Sequence, residues 1–264
     1  MQIGLDHVVI FVPDLQLAIP SFEHLGFNVT LGGSHENTEN ALIIFQDGTY
    51  LELLAFKAKW RRPFLRLAAR LGVLNILARR EQEMTWRFYQ WVSSRPGPVD
   101  WCLRVSDTMA ALETWRERGL EVLPRQTFHR KRPDGQVAEW CLGGAKDFDL
   151  PFLLTDITST EIRVPLGATM QHPNGATGIQ KLSLGVFSRD EVIAHLIALS
   201  HSVSSPKCGD PWDPETPRLE FFERSSSRER IEIQLSYAGA VPLELDREKT
   251  FESHIVLSPP HETT

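Results

Sequence analysis

The sequence is poor in cysteine and has no long apolar run. Its three cysteines, Cys102, Cys141 and Cys208, are odd in number and show no C-x-x-C spacing. This pattern favours reduced thiols over a disulfide framework or a zinc knuckle. No apolar run approaches the roughly 18 residues that a membrane span needs, and the sequence starts with a predicted strand rather than a signal peptide. We therefore expect a cytoplasmic protein with no membrane partner.

Several common catalytic signatures are also absent. The sequence contains no H-E-x-x-H, no G-x-S-x-G, no P-loop and no G-x-G-x-x-G, which disfavours zincins, serine hydrolases, nucleotide hydrolases and dinucleotide-dependent dehydrogenases. No nucleotide cofactor is expected. A net charge of −6 argues against nucleic acid as a partner. With 42% hydrophobic and 23% charged residues, the composition is that of an ordinary globular protein.

One order of secondary structure recurs along the chain. Residues 4–12 are predicted to form a strand, a helix follows and ends at Gly26, and three further strands complete the unit. The order returns near residue 98, with a second helix that ends at Gly119. In a third, diverged copy, RLEFFER and RIEIQLS are predicted to pair as a hairpin across SSS. The predicted units are 1–56, 98–160 and 172–258, with a helical insertion at 57–97.

The insertion is basic at its start and aromatic at its end. From Lys57 to Arg80 it carries basic residues and no acidic one. Three interpretations stay open: a lid that steers anions into a pocket, an amphipathic helix that packs on the body or on a second subunit, and a membrane-surface helix. The second would accommodate a homodimer. The aromatic residues near the end of the insertion line either a pocket or the core: Trp86, Phe88, Tyr89 and Trp91.

Several short motifs occur in the order of a known family. The chain opens with L-D-H, and GGSHENTENALIIFQDGTYLELLAF follows at residues 32–56. RKRPDGQVAEW, LPFLLTD and HPNGA come later, at residues 130–140, 150–156 and 172–176. Together they resemble the glyoxalase-like domain family of the vicinal oxygen chelate superfamily. The resemblance implies an α+β fold in which tandem βαβββ units form an open, cup-shaped mixed sheet with helices outside. In the superfamily the cup is the active site, and a divalent metal often sits at its base.

His7 and Glu52 are the principal candidates for the site. Strand alternation places His7 on the face shared by Val9 and Phe11, and Asp6 on the opposite face. The resemblance implies that His7 and Glu52 are metal ligands at the base of the cup, and an imidazole with a carboxylate suits Zn, Fe, Mn or Ni. The alternative is that the two side chains hydrogen-bond each other without a metal. Glu52 would then be free to act as a general base.

The second unit does not supply matching ligands. Aligning the two units places Trp101 at the His7 position and Phe152 at the Glu52 position, and neither side chain can ligate a metal. The third unit offers Lys181 and Glu232, which suit a salt bridge. A third metal ligand would have to come from a loop, and His172 is the candidate retained for that role. His35 is the other loop histidine, and both are alternatively ordinary loop residues.

The remaining candidates would contact the substrate. Arg130 or Arg132 could hold an anionic group through a two-pronged contact, although the P-D-G beside them equally predicts a solvated basic turn. The predicted substrate-binding residues are His35, Asn40, Tyr50, Trp101, Arg130, Arg132, Phe152 and His172. The resemblance implies a small-molecule lyase, isomerase or ring-opening enzyme acting on an oxygen-rich substrate. The alternative is a metal-free protein that binds or sequesters a small molecule, as in bleomycin resistance.

Overall fold

Two β-sheets, five α-helices and one short 3-10 helix (Ala168–Met170) form the regular structure in the part of the chain that the structure describes. The computed structural model describes residues 3–34, 38–57, 84–132, 135–203, 219–224 and 231–259, together with 64, 67, 68, 71 and 73. Most of the predicted insertion therefore lies outside the described residues. The strands of the first sheet are β1 (Gly4–Phe11), β2 (Thr30–Ser34), β3 (Thr38–Ile44), β4 (Tyr50–Phe56), β5 (Gly97–Arg104), β6 (Val122–Lys131), β7 (Val137–Ala145) and β8 (Phe152–Asp156).

The first sheet has eight strands in the order β2-β3-β4-β1-β5-β8-β7-β6. In each half, the first strand pairs parallel with the last: β1 with β4, and β5 with β8. The halves join where β1 and β5 run antiparallel. Because the sheet curls into an open cup, its two edge strands approach each other, and Arg130 of β6 lies against Gly33 of β2. The α+β class with a cup-shaped sheet is thus confirmed.

The second sheet corrects the predicted hairpin. Its strands are β9 (Ala176–Val186), β10 (Leu219–Glu223), β11 (Ile231–Tyr237), β12 (Leu243–Glu244) and β13 (His254–Ser258). Their order is β10-β9-β11-β13-β12, so β9 lies between the two strands predicted to pair with each other. β10 instead pairs parallel with β9. A parallel pair needs a crossover connection, and the helix between the two strands provides it.

Three of the α-helices lie outside the cup, and two contribute residues to the lining of its cavity. The five α-helices are α1 (Leu15–His24), α2 (Thr85–Ser93), α3 (Thr108–Glu117), α4 (Thr160–Arg163) and α5 (Arg189–Val203). The two sheets share one apolar core on the convex side of the cup. There Trp101 approaches Phe221 with ring centroids 6.4 Å apart, and Trp115 Nε1 donates to the His195 carbonyl at 3.2 Å. No helix among the described residues is long and apolar enough to cross a membrane.

Candidate functional site

A cavity of about 370 Å³ occupies the concave side of the first sheet. Alternate residues of six strands point into it, as the two-residue period of a strand requires. Most of its wall is apolar or aromatic, and α2 closes one side. The lining residues are His7, Thr38, Asn40, Leu42, Tyr50, Glu52, Leu54, Met84, Thr85, Phe88, Trp91, Gln126, Phe128, Arg130, Trp140, Leu142, Phe152, Leu154, Arg163 and Val164.

A β-bulge in β1 shapes the base of the cavity. Leu5 pairs with Leu103 and His7 pairs with Cys102, so Asp6 is an extra residue in β1. A bulge of this kind bends the strand and redirects side chains. The Asp6 carboxylate therefore lies beside His7, with Asp6 Oδ1 2.8 Å from His7 Nδ1. The placement of Asp6 on the opposite face from His7, expected from simple alternation, is wrong.

Buried Asp6 is matched by two arginines. Arg163 donates to both oxygens of the Asp6 carboxylate, at 3.2 and 3.0 Å, and Arg104 Nε donates to Oδ2 at 2.7 Å. Burial acts to raise the pKa of Asp6, but Arg163, His7 and Arg104 outweigh it and hold that pKa well below its usual range. Asp6 is therefore a buried, ionised carboxylate behind the cavity wall.

Arg163 uses every N–H group that it has. Besides Asp6, it donates to Asp156 from Nε and Nη2, at 2.6 and 3.1 Å. Nη1 also donates to the Tyr50 hydroxyl at 2.7 Å. A guanidinium has five N–H donors, and these contacts account for all five. Although Arg163 lines the cavity, it has no donor left for a ligand.

His7 lies between two carboxylates. Its Nδ1 faces Asp6 and its Nε2 lies 3.3 Å from Glu52 Oε2. Burial lowers the pKa of His7, but Cys102, Asp6 and Glu52 outweigh burial and hold that pKa well above the usual range. The imidazolium form donates from both ring nitrogens, which matches a carboxylate on each side. His7 thus couples Asp6 to Glu52.

Glu52 is the one carboxylate among the described residues that line the cavity. Its side chain is 18% exposed, whereas Asp6 behind it is fully buried. Asn40 Nδ2 donates to Glu52 Oε1, and Asn40 Oδ1 accepts from the backbone N–H of Gly33. Asn40 and His7 together fix the Glu52 carboxylate so that it faces the cavity.

The glycine pair of β2 makes room for this arrangement. A Cβ atom on Gly32 would overlap Asn40 Oδ1, and one on Gly33 would lie 3.0 Å from Arg130 Cδ. Side chains at these positions would displace the Asn40 amide or the Arg130 side chain. The Gly-Gly motif is therefore a packing requirement of the site, since glycine allows close approach at no steric cost.

Tyr50 supplies a hydroxyl close to His7. Its ring stacks on the imidazole with centroids 4.5 Å apart and an interplanar angle of 13°. The Tyr50 oxygen accepts from Arg163, and burial raises the pKa of the phenol well above its usual range. Among the described residues, the hydroxyl proton has no acceptor. Tyr50 can therefore donate a hydrogen bond into the cavity.

Arg130 is the second cation that lines the cavity. It is half-buried, and its Nη2 donates to the backbone carbonyl of Arg163 at 2.6 Å. Burial lowers the pKa of Arg130, while Tyr50 and Glu52 act in the opposite direction. A guanidinium remains charged under these conditions. Arg130 is therefore a partly desolvated cation close to Glu52.

The side chains around the cavity do not form a convincing metal site. A catalytic zinc site generally has three protein ligands, and the cavity wall offers His7 and Glu52. Asp6, His7 and Cys102 have ligand atoms within 4.8 Å of one another, but Asp6 is engaged by two arginines. Cys102 is fully buried and does not line the cavity. Within the described ranges, the set of possible ligand atoms around the cavity therefore falls short of a metal site.

The structure places several of the predicted site residues away from the cavity. Trp101 lies in the convex-side core, and its neighbour Cys102 pairs with His7 and belongs to the cluster on the concave side. Arg132 Nη1 donates to the carbonyls of α4 at 3.3 Å and does not line the cavity. His35 lies outside the described residues. Asn40, Tyr50, Arg130 and Phe152 do line the cavity.

His172 is a structural residue rather than a metal ligand. Its Nδ1 accepts from the Asn28 backbone N–H at 3.0 Å, and its Nε2 lies 3.1 Å from the Ile44 carbonyl. The rings of Phe27 and Phe45 flank it, with centroids 5.6 and 5.2 Å from the imidazole. Both ring nitrogens of His172 already have backbone partners. This finding corrects the prediction that His172 is a metal ligand.

A buried ion pair holds α2 against the cup. Arg87 is fully buried, and its Nη1 donates to both oxygens of Asp100, at 2.9 and 2.7 Å. Trp91 Nε1 donates to the same carboxylate at 2.9 Å. The anchored helix contributes Phe88 and Trp91 to the cavity wall, so these two aromatic residues of the insertion do line the pocket.

Comparison with known protein families identifies the family of this chain. The sequence matches the glyoxalase-like domain family over residues 5–200. The chain belongs to that family. The family is part of the vicinal oxygen chelate superfamily. No curated protein matches the sequence.

A solved structure shares the fold beyond the matched domain. A hypothetical protein from Staphylococcus aureus has a TM-score of 0.68 at 15% identity, covering 97% of this chain and 99% of that chain. The second sheet, which begins near the end of the matched domain, is thus part of a shared architecture. A xylose isomerase-like TIM barrel/4-hydroxyphenylpyruvate dioxygenase fusion protein has a TM-score of 0.44 at 13% identity, over 88% of this chain and 36% of that chain. A score at that level says nothing about function.

Proposed function

We propose that this glyoxalase-like protein is an enzyme that moves a proton on a small carbonyl compound, with Glu52 as the general base. The observation that carries the proposal is the position of Glu52. It is the one carboxylate among the described lining residues, and Asn40 and His7 orient it. A general base must reach the proton that it removes, so its geometry matters before its pKa.

The surrounding groups suit the charge that such a reaction develops. Glu52 would take a proton from the carbon next to a carbonyl, and the C–H electrons would move onto the carbonyl oxygen to form an enolate. The Tyr50 hydroxyl would donate to that oxygen, because its proton has no acceptor among the described residues. Return of the proton to the same carbon completes an exchange. Where that carbon carries a hydroxyl group, the intermediate is an enediolate, and protonation of the former carbonyl carbon with transfer of the hydroxyl proton to the other oxygen completes an isomerisation. A mostly apolar wall strengthens these polar contacts.

His7 has a positioning role in this scheme. Held between Asp6 and Glu52, it fixes one oxygen of the base. Arg163 and Arg104 hold Asp6 in turn. The chain Arg163–Asp6–His7–Glu52 thus extends from the buried core to the cavity, and loss of an inner member would misplace the base without touching the substrate.

Proton exchange in D₂O tests the proposal. NMR would follow α-proton exchange on a panel of aryl-substituted 2-oxo acids and neutral aryl ketones, relative to buffer alone. We expect the protein to accelerate exchange on at least one compound, and Glu52→Gln to remove roughly 10²-fold or more of that rate, as general-base catalysis contributes roughly 10²–10⁴-fold. Glu220→Gln, at an exposed strand position, is the control. Activity that survives treatment with a chelator would support metal-free chemistry, and loss of activity with the chelator would contradict it.

A sequestration protein is the second candidate. The aromatic wall favours it, since Trp91, Phe128 and Trp140 offer stacking surfaces to a ligand. Tight ligand binding without accelerated exchange, unchanged in Glu52→Gln, would support this function instead.

A further inference from the structure

We propose that the natural ligand of the cavity is an aromatic monocarboxylate, with its carboxylate on Arg130 and its flat apolar body against Phe128 and Trp140. The inference rests on the proposed function, because it names the substrate class of the same site. The ligand assignment depends on Arg130, however, whereas the proposed function depends on Glu52, so an experiment can contradict one without contradicting the other.

When the charged groups around the cavity are paired with their nearest opposite charges, Arg130 is the cation without an ion-pair partner among the described residues. The positive charges of Arg163 and Arg104 face the carboxylates of Asp6 and Asp156. The His7 imidazolium contacts the Glu52 carboxylate. Among the described residues, Arg130 forms no ion pair and makes its hydrogen bond to a neutral carbonyl. A partly buried site with one unmatched positive charge favours a ligand with one negative charge.

The free donors of Arg130 are suited to a carboxylate. One of its five N–H groups is used by the Arg163 carbonyl, so four remain, and a guanidinium fork binds a carboxylate through two parallel hydrogen bonds. Arg163 cannot compete for the anion because its donors are all occupied. The Arg130 stem lies close to Gly33 across the seam of the cup.

The wall beside Arg130 is flat and aromatic. Phe128 lies two residues before Arg130 on β6, so both side chains face the cavity. The Phe128 ring is nearly parallel to that of Trp140, with centroids 6.2 Å apart and an interplanar angle of 16°. Two other lining residues, Trp91 and Phe152, have ring centroids 5.6 Å apart. Such surfaces favour a planar apolar ligand.

The cavity volume limits the size of the ligand. About 370 Å³ lies near the lower end of the 300–1,000 Å³ range of small-molecule sites. One or two fused rings with a short acidic side chain match this space. A peptide conjugate would have to place many polar groups against an apolar wall, which is unfavourable.

Paired probes that differ only in charge test the inference. We would titrate 2-naphthoate and its neutral analogue 2-naphthamide into the protein and follow the fluorescence of the lining tryptophans, with calorimetry as a second readout. We expect the wild type to prefer 2-naphthoate by roughly tenfold or more, since a charge-assisted contact contributes about 1.5–3 kcal/mol. Arg130→Gln should abolish the preference and leave 2-naphthamide binding within about twofold.

Two further variants separate this inference from the proposed function. Arg132→Gln, two residues further along the chain and outside the cavity, should keep the preference. Glu52→Gln removes a nearby negative charge and should leave 2-naphthoate binding equal or tighter while it removes proton exchange. Equal binding of the two probes by the wild type, a preference that survives Arg130→Gln, or no binding of either probe would overturn the carboxylate assignment. None of these results bears on Glu52-dependent exchange.

Discussion

The Asp6→Asn substitution probes the support behind the site most sharply. It keeps the shape of the side chain but removes a fully buried charge that contacts Arg163, Arg104 and His7. Removing one partner of a buried ion pair costs about 3–5 kcal/mol, because the remaining charge is left uncompensated. Two of the three cations here are nearly or fully buried, so we expect a loss of free energy of unfolding within that range.

Denaturant unfolding measures the loss directly. In a domain of this size, each kcal/mol shifts Tm by about 2–4 °C, so a drop of about 6–20 °C should accompany the change. Asp107→Asn is the matched control, since Asp107 is an exposed N-cap that accepts from the backbone of α3 and asparagine caps equally well. A loss below about 1 kcal/mol in Asp6→Asn would refute the account of a charge-matched core behind the cavity.

The pH dependence of the same variant gives a second readout. Because the pKa of Asp6 is lower in the folded state than its ordinary value of 3.8, its contribution to stability is present above pH 3.8. It disappears as the pH falls through the folded-state pKa. Asp6→Asn should remove this acid-side slope. The variant should also lower the pKa of His7, as read from its imidazole resonances by NMR. An unchanged His7 pKa would mean that Asp6 does not act on His7.

Three other substitutions or treatments test separate contacts. Gly32→Ala should displace the Asn40 amide and cost about 1–3 kcal/mol of stability through overpacking, with a matching loss of proton exchange; an unchanged exchange rate would contradict the role of Asn40. The raised pKa of His7 adds stability that is present below pH 6.5 and is lost as the pH rises through the folded-state pKa. His7→Gln should therefore reduce the dependence of the free energy of unfolding on pH on the alkaline side, and unfolding curves from pH 6 to 9 show this slope or its absence. Cys102, fully buried and with its pKa raised to about 11, should react with a thiol reagent only after unfolding, and rapid labelling of the native protein at Cys102, located by mass spectrometry, would contradict its position behind His7.

The sequence allowed much of the first sheet to be predicted, since strand periodicity and helix ends are local signals. Gly26 and Gly119, predicted to end the two helices, have φ angles of +83° and +84°, as residues beyond a helix end often do. The sequence also allowed a direct hydrogen bond between His7 and Glu52 to be predicted, as the alternative to a metal site. Both side chains face the cup because each belongs to the inward set of its strand.

The bulge at Asp6 is not evident from the sequence, because residues 8–12 are apolar at every position, but it is visible in the buried core. Apolar core residues occupy odd positions at Ile3 and Leu5, then even positions at Val8 and Ile10. This change of parity is what one inserted residue produces in a strand. A uniform alternation, as assumed for the prediction, cannot place Asp6 and His7 on one side.

Arg163 could not have been assigned from the sequence, because its partners come from distant strands. Asp6 lies 157 residues away and Tyr50 lies 113 residues away. The position of His172 depends on an equally long-range contact, because its partner Ile44 lies 128 residues away in the sequence. The hairpin prediction failed for a similar reason: local spacing favoured a pair, but both strands pair instead with β9, on opposite sides of it, and β9 lies further away in the sequence.

The rate of α-proton exchange in D₂O, compared between the wild type and Glu52→Gln, tests the central claim most directly. The account predicts exchange on an aryl-substituted 2-oxo acid that is faster than in buffer for the wild type and that returns toward the buffer rate in the variant. Binding of the acid should persist in that variant. Equal exchange rates in the two proteins would contradict the assignment of Glu52 as the base.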